Sequence, residues 1–117
     1  MRVISQDGTI DVPYDYFSLS LASGKYKDVE VAYIYCHNLS SPNGTKLAEY
    51  STKAKAIKAM EMLREQYGKL EVMKVLASGT AEYMEKALAT DEMIKHYNTY
   101  CDMNVFQFPQ DDYERLN

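Results

Sequence analysis

The feature that most constrains this chain is a change of hydrophobic period at its middle. Residues 1–50 alternate apolar and polar side chains, and residues 51–100 repeat apolar side chains every three to four positions. The first period belongs to strands and the second to helices. Arg2–Ser5 predicts a short strand. Gln6-Asp7-Gly8-Thr9 predicts a turn, because Asp-Gly takes up the positive φ values of a tight hairpin at little cost. Ile10–Tyr14 returns as a second strand, which Pro13 either ends or confines to an edge. Phe17–Ala22 places Phe17, Leu19 and Leu21 on one face, and Ser23-Gly24-Lys25 predicts the next turn. Val29–Cys36 is rich in β-branched and aromatic residues, with Val29, Val31, Tyr33 and Tyr35 on one side. Asn38–Thr45 holds Pro42 and Asn43-Gly44 and predicts a loop, followed by a strand over Lys46–Tyr50. Short strands joined by tight turns imply an antiparallel meander.

Ser51 or Thr52 then offers an N-cap. Ala56, Met60, Leu63 and Tyr67 follow at spacings of four, three and four, with Ile57 beside them, and form a core-facing stripe. Gly68 either ends this helix or lies inside one that runs on to Ser78-Gly79. A second helical region starts at Thr80. Thr90-Asp91-Glu92 marks a fresh N-terminus within it, since a cap and two acids suit the first turn. The region is one kinked helix or two short ones. Val105–Pro109 returns to an extended pattern, and residues 110–117 read as a polar tail. The expected fold is a single α+β domain over residues 1–117, with an N-terminal antiparallel sheet of about five short strands, two helical regions and a short C-terminal strand.

Composition narrows the function classes. Thirteen basic and 17 acidic residues leave a net charge of −4, and the arginines are Arg2, Arg64 and Arg115. A duplex nucleic-acid binder needs a basic face, so that class is disfavoured, while a small anion needs only one or two cations. No run of apolar residues is long enough to span a membrane, and the first residues lack the apolar core of a secretion signal. Cys36 and Cys101 are accordingly expected as reduced thiols. Eleven tyrosines, seven methionines and no tryptophan suit either a patched core with a Tyr-rich surface or an extensive interface.

Enzyme signatures are missing: there is no phosphate-binding glycine loop, dinucleotide fingerprint, HExxH or CxxC pattern. His37 and His96 make a poor metal set, and on a strand His37 and Cys36 point to opposite faces. No cofactor is expected. Arg64 lies at the margin of the helical stripe. It can pair with a neighbouring acid, or present its fork to a phosphate. Tyr83, Tyr97, Tyr100, Phe106 and Phe108 offer either core packing or faces for a nucleobase. Asn98, Asn104 and Gln107 could bond its edges.

Three segments carry a resemblance. MRVISQDGTIDVPYD, AEYSTKAKAIKAMEMLREQYG and VFQFPQDD span about 45 of the 117 residues. They resemble segments of a set of small proteins from phages and prophages of Gram-positive bacteria. The order of elements also looks like that of the anti-Thoeris sponge proteins of phages. The resemblance implies a non-catalytic anti-defence protein, acting in the cytoplasm of an infected bacterium. It implies a homo-oligomer, dimeric or hexameric, that sequesters a cyclic ADP-ribose-type signal and, in some members, a cyclic oligonucleotide. On that reading, residue chemistry assigns Arg64 to the pyrophosphate. Asn98 with Tyr83, Phe106 and Phe108 would read the base, and Asp111 would bond ribose hydroxyls. The scarcity of arginine in the second helical region argues against a cyclic-trinucleotide site. The alternative is an acidic phage inhibitor, anti-CRISPR-like, acting by protein–protein binding.

Overall fold

A computed structural model describes residues 1–38 and 40–117. Six strands and three helices appear in the order β1 (Arg2–Ile4), β2 (Asp11–Pro13), β3 (Ser18–Tyr26), β4 (Val29–Asn38), β5 (Ser41–Tyr50), α1 (Lys53–Leu76), α2 (Thr80–Glu85), α3 (Asp91–Asp102) and β6 (Val105–Gln107). Single 3-10 turns lie at Tyr14–Tyr16 and Glu114–Leu116. The α+β architecture is as expected, with five strands ahead of the helices and a sixth after them.

The strands form two sheets. β3, β4 and β5 make an antiparallel meander, while β1 sits between antiparallel β2 and parallel β6. Two turns fall elsewhere than the sequence pattern predicts. β3 runs through Ser23-Gly24-Lys25 and pairs with β4 from Ser18↔His37 to Tyr26↔Val29. The reversal is made by Lys27 and Asp28, both left-handed at φ 50° and 65°, the pair of positive φ values that matches strand twist. In the second hairpin Asn38 pairs with Ser41. Pro42 and Asn43-Gly44 therefore lie in β5, where the register shifts between Cys36 and Asn38. Gly44 takes φ 81° there, and a Cβ would lie 3.1 Å from the Cys36 carbonyl oxygen. This strand is an edge strand, so Pro42 breaks no ladder. Leu39, inside the predicted loop, lies outside the described residues.

β4 buries its small and aliphatic side, Ala32, Ile34 and Cys36, and turns Val29, Val31, Tyr33 and Tyr35 outward. Small side chains let α1 approach closely. Its buried residues Ala56, Ala59 and Leu63 share one core with Leu47, Ala48, Tyr50, Val3, Phe106 and Phe108. Ile57, expected beside that stripe, is exposed. Thr52 is the N-cap, its hydroxyl accepting from the Lys55 amide at 3.1 Å. The helix continues through Gly68 to Leu76. At about 1.5 Å per residue its 24 residues reach well past the sheets. Thr90 caps α3, so the second helical region is two separate helices. The distal half of α1, with α2 and α3, projects as an arm. The radius of gyration is 17.4 Å and the extents are 62 × 35 × 21 Å, against roughly 13 Å for the radius of a compact chain of this length.

The two sheets are joined by Gln6. Its side-chain nitrogen donates to the carbonyls of Glu49 (3.0 Å) and Pro109 (3.1 Å), and its side-chain oxygen accepts from the Glu49 amide (3.0 Å). Its backbone amide donates to the Leu47 carbonyl at 2.8 Å. A side chain thus completes the outer edge of β5. Gln6→Ala is expected to cost about 1–2 kcal/mol, since it removes the side-chain partner of the Glu49 amide and carbonyl and one of the two donors to the Pro109 carbonyl; urea unfolding measures this. Gly68→Ala is expected to stabilise by about 0.5–1 kcal/mol, because a Cβ there meets nothing within 4 Å. The same titration checks it.

Candidate functional site

Pro13 ends β2 and turns the chain into the 3-10 turn, which delivers Tyr14 to the rim of β3. Tyr14 stacks at a tilt on Tyr67 of α1, with ring centroids 4.9 Å apart and planes at 58°. Phe17 and Leu19 of the β3 edge and Met60 and Leu63 of α1 line the wall beneath. Arg64 closes this depression, whose volume is about 240 Å³. A second hollow of about 780 Å³ adjoins it at Phe17, lined by Asp15, Tyr16, Ser18, His37, Asn38, Ser40 and Pro42. The combined groove is of the size that takes a small organic ligand.

Arg64 is exposed and makes no hydrogen bond or ion pair among the described residues. The acids nearest it in sequence are engaged elsewhere: Glu61 with Lys58 at 3.8 Å, and Glu65 with Arg115 at 4.0 Å. The salt bridge that sequence spacing allowed for Arg64 is not formed. Opposite charge gathers about two turns further along the helix, at Glu71. The Glu71 carboxylate, then burial, then Asp15 and Tyr14, hold the Tyr67 hydroxyl above its ordinary range. The groove therefore offers a guanidinium at one point, carboxylate at another and aromatic rings between them.

A third cleft, about 590 Å³, lies at the N-terminus of α1, lined by Tyr26, Tyr33, Tyr50, Glu30, Glu49 and Asp111 among others. A helix N-terminus ordinarily attracts anions, but these donors are taken. The Glu30 carboxylate accepts from the Lys53 amide at 2.8 Å, and Asp111 accepts from the Ser51 amide at 2.8 Å. Lys55 reaches both the Asp111 carboxylate (3.6 Å) and its carbonyl (2.9 Å). Three carboxylates in one cleft repel a phosphate.

The six residues that sequence reasoning grouped do not come together. Arg64 lies in the Phe17 groove and Asp111 at the head of α1. Phe106 and Phe108 are buried, their rings edge to face at 5.3 Å and 89°, so their faces are spent on each other and on the core. Tyr83 and Asn98 are exposed on α2 and α3, in the projecting arm. Tyr14, Asp15 and Phe17 were missed as site residues. Phe17 was legible only as an apolar position of an alternating strand, and nothing local tells that its neighbour is Arg64, 47 positions away.

Two groups bear on reactivity. Cys36 is a free thiol buried on the core face of β4, and burial pushes its pKa up. Among the described residues no group of three or more His, Cys, Asp or Glu could hold a metal ion. No helix among them is long and apolar enough to cross a membrane.

The Asp111 carboxyl is held below its ordinary value, first by the Ser51 amide, which with the Ser51 hydroxyl and Lys55 outweighs the opposing effect of burial. A lowered value means the folded state favours the ionised form. The stabilisation is complete above about pH 4, the carboxyl's unfolded range, and is lost as pH falls through the lowered folded value. Asp111→Asn is expected to reduce stability at pH 7 and to flatten the loss of stability below about pH 4, read by thermal melts as the pH is lowered. Compared with known protein families, with curated proteins and with solved structures, the chain matches none.

Proposed function

We propose that this protein binds a small phosphorylated nucleotide of the cyclic ADP-ribose type in the groove at Phe17 and holds it without chemical change. The observation that carries this reading is the exposed guanidinium of Arg64, unpaired among the described residues, beside the Tyr14 and Phe17 rings. Adenine offers a π-face to those rings, and the pyrophosphate offers oxygens to the fork of Arg64. Asp15, on the other side of Phe17, is placed to accept from ribose hydroxyls, the role that sequence reasoning gave to Asp111. Sequestration rather than turnover fits a groove whose adjacent thiol, Cys36, is turned into the core. Such a protein would act as a phage anti-defence factor, removing an immune signal in the host bacterium. This agrees with the resemblance carried by the three sequence segments.

A protein-binding reading draws on a different region. Val72, Val75, Leu76, Tyr83, Met84 and Leu88 are exposed on the arm, an apolar surface suited to a partner. The acids do not form the continuous field of an acidic mimic, since they alternate with lysines, as in Lys86–Glu82 at 2.7 Å and Lys58–Glu61.

Thermal-shift measurements with cyclic ADP-ribose isomers and cyclic di- and trinucleotides test the proposal, because a ligand of the folded state raises the melting point. The expected result is a shift with a cyclic ADP-ribose isomer and recovery of that ligand intact after heating. Arg64→Ala is expected to weaken binding by ten- to a hundredfold, corresponding to about 1.5–3 kcal/mol for hydrogen bonds to a charged group. Tyr83→Ala and Asn98→Ala are expected to leave it unchanged. No shift with any member of the panel sinks the nucleotide reading in favour of the arm.

A further inference from the structure

The meander β3-β4-β5 has two outer edges, and they are treated differently. The β5 edge is guarded: Gln6 bonds to Leu47 and Glu49, and Pro42 and the bulge at Gly44 deform the rest. The β3 edge has none of these devices. It runs for nine residues, Ser18–Tyr26. Among the described residues its backbone bonds only to β4. Phe17 continues it in extended conformation, at φ −128° and ψ 145°. Residues 16–24 contain no charge and no proline. A long edge whose only charge, Lys25, lies near its end is a template for another strand, and native proteins rarely leave one bare.

We propose that this edge pairs with the same edge of a second copy, β3 against β3 about a two-fold axis at Leu21, to give a continuous six-stranded antiparallel sheet. The occupant is a second copy because the edge is complementary to itself. Antiparallel pairing about Leu21 sets each residue opposite the one whose number sums with its own to 42. Leu21 meets its own symmetry mate, and Leu19 meets Ser23. Tyr16 and Tyr26, 77% and 71% exposed, flank the paired stretch at its two ends. No like charges face each other anywhere along the pairing. The contact is isologous and closes on itself, so it yields a dimer and no filament.

The dimer bears on the groove. Opposed residues in an antiparallel pair share a face, and the odd-numbered residues Phe17, Leu19 and Leu21 face the core beneath α1. The pairing sets Lys25 of the partner subunit opposite Phe17, on the face that carries Arg64. Each groove then gains a second cation from the other copy, matching the two phosphates of an ADP-ribose-type ligand. The dimer stands on the edge geometry alone, whereas the role of Lys25 rests on the proposed function.

Ser20 and Ala22 are exposed and lie opposite each other across the axis. Sedimentation equilibrium of the full chain is expected to give twice the mass of the 13.4 kDa monomer. The double variant S20E/A22E, which sets like charges against each other, is expected to be monomeric with an unchanged circular dichroism spectrum. S20E/A22K, which sets opposite charges against each other, is expected to restore the dimer. A monomeric wild type overturns the proposal, as does a dimer indifferent to S20E/A22E. So does a chain that stays monomeric and takes up one added foreign extended peptide along this edge. Lys25→Ala is expected to stay dimeric and to bind cyclic ADP-ribose about tenfold more weakly. If Arg64→Ala impairs binding and Lys25→Ala does not, the contribution to the groove is refuted and the dimer stands. If the charge pairs behave as expected but no nucleotide binds, the proposed function fails and the dimer again stands.

Discussion

The side-chain amide of Gln6 stands in for a strand. It gives β5 the donor and acceptor that a neighbouring backbone would supply at Glu49, and with its spare hydrogen it holds the Pro109 carbonyl. Two three-stranded sheets are joined at that residue. The C-terminal segment depends on the same point. Pro109 also accepts from the buried Tyr50 hydroxyl at 2.8 Å, and Gln110 donates to the Gln6 carbonyl at 2.7 Å. Burial, with the nearby Asp111 charge, keeps Tyr50 a neutral donor far above physiological pH. Phe106 and Phe108 can therefore fill the core between the sheets only because residues on either side of them are tied to the start of the chain.

The fold divides into a firm base and a projecting arm. The base holds nearly all of the buried apolar side chains, and small residues on β4 and α1 set the close approach between sheet and helix. In the arm, Leu70, Ala77 and Thr80 are buried, while α3 has no buried residue. A helix without a buried face draws little stability from its own chain. The base carries the groove, and a ligand held there gains from walls that do not rearrange. The arm carries the exposed apolar residues, and its contribution is to contacts with other molecules.

Much of this was legible from residue pattern. The change of period separated sheets from helices at residue 50, and Thr52 and Thr90 announced their caps. Turn chemistry was less faithful. Ser23-Gly24-Lys25 and Asn43-Gly44 are strong turn signals, yet both segments lie in strands: the first is held by nine residues of continuous pairing with β4, and the second spends its preference on the register shift at Gly44, φ 81°. The Lys27-Asp28 turn was invisible because neither residue favours a left-handed backbone strongly enough to be singled out. The aromatic pair at the C-terminus read equally well as a base-stacking site or as core. The pairing of β6 beside β1, in register with Val3, decided for core.

The sequence by itself determined the α+β class, the helix starts, the free thiol state expected of both cysteines, and Arg64 as the cation worth following. Each of these depends on residues within a turn or two of one another, or on composition. Only the tertiary structure decided which aromatic rings stand beside Arg64, which edge of the meander is left open, and that Asp111 serves the head of α1. Those outcomes depend on pairings between residues tens of positions apart. Such pairings are set by the summed burial of both sheets against α1, and no local spacing records that sum.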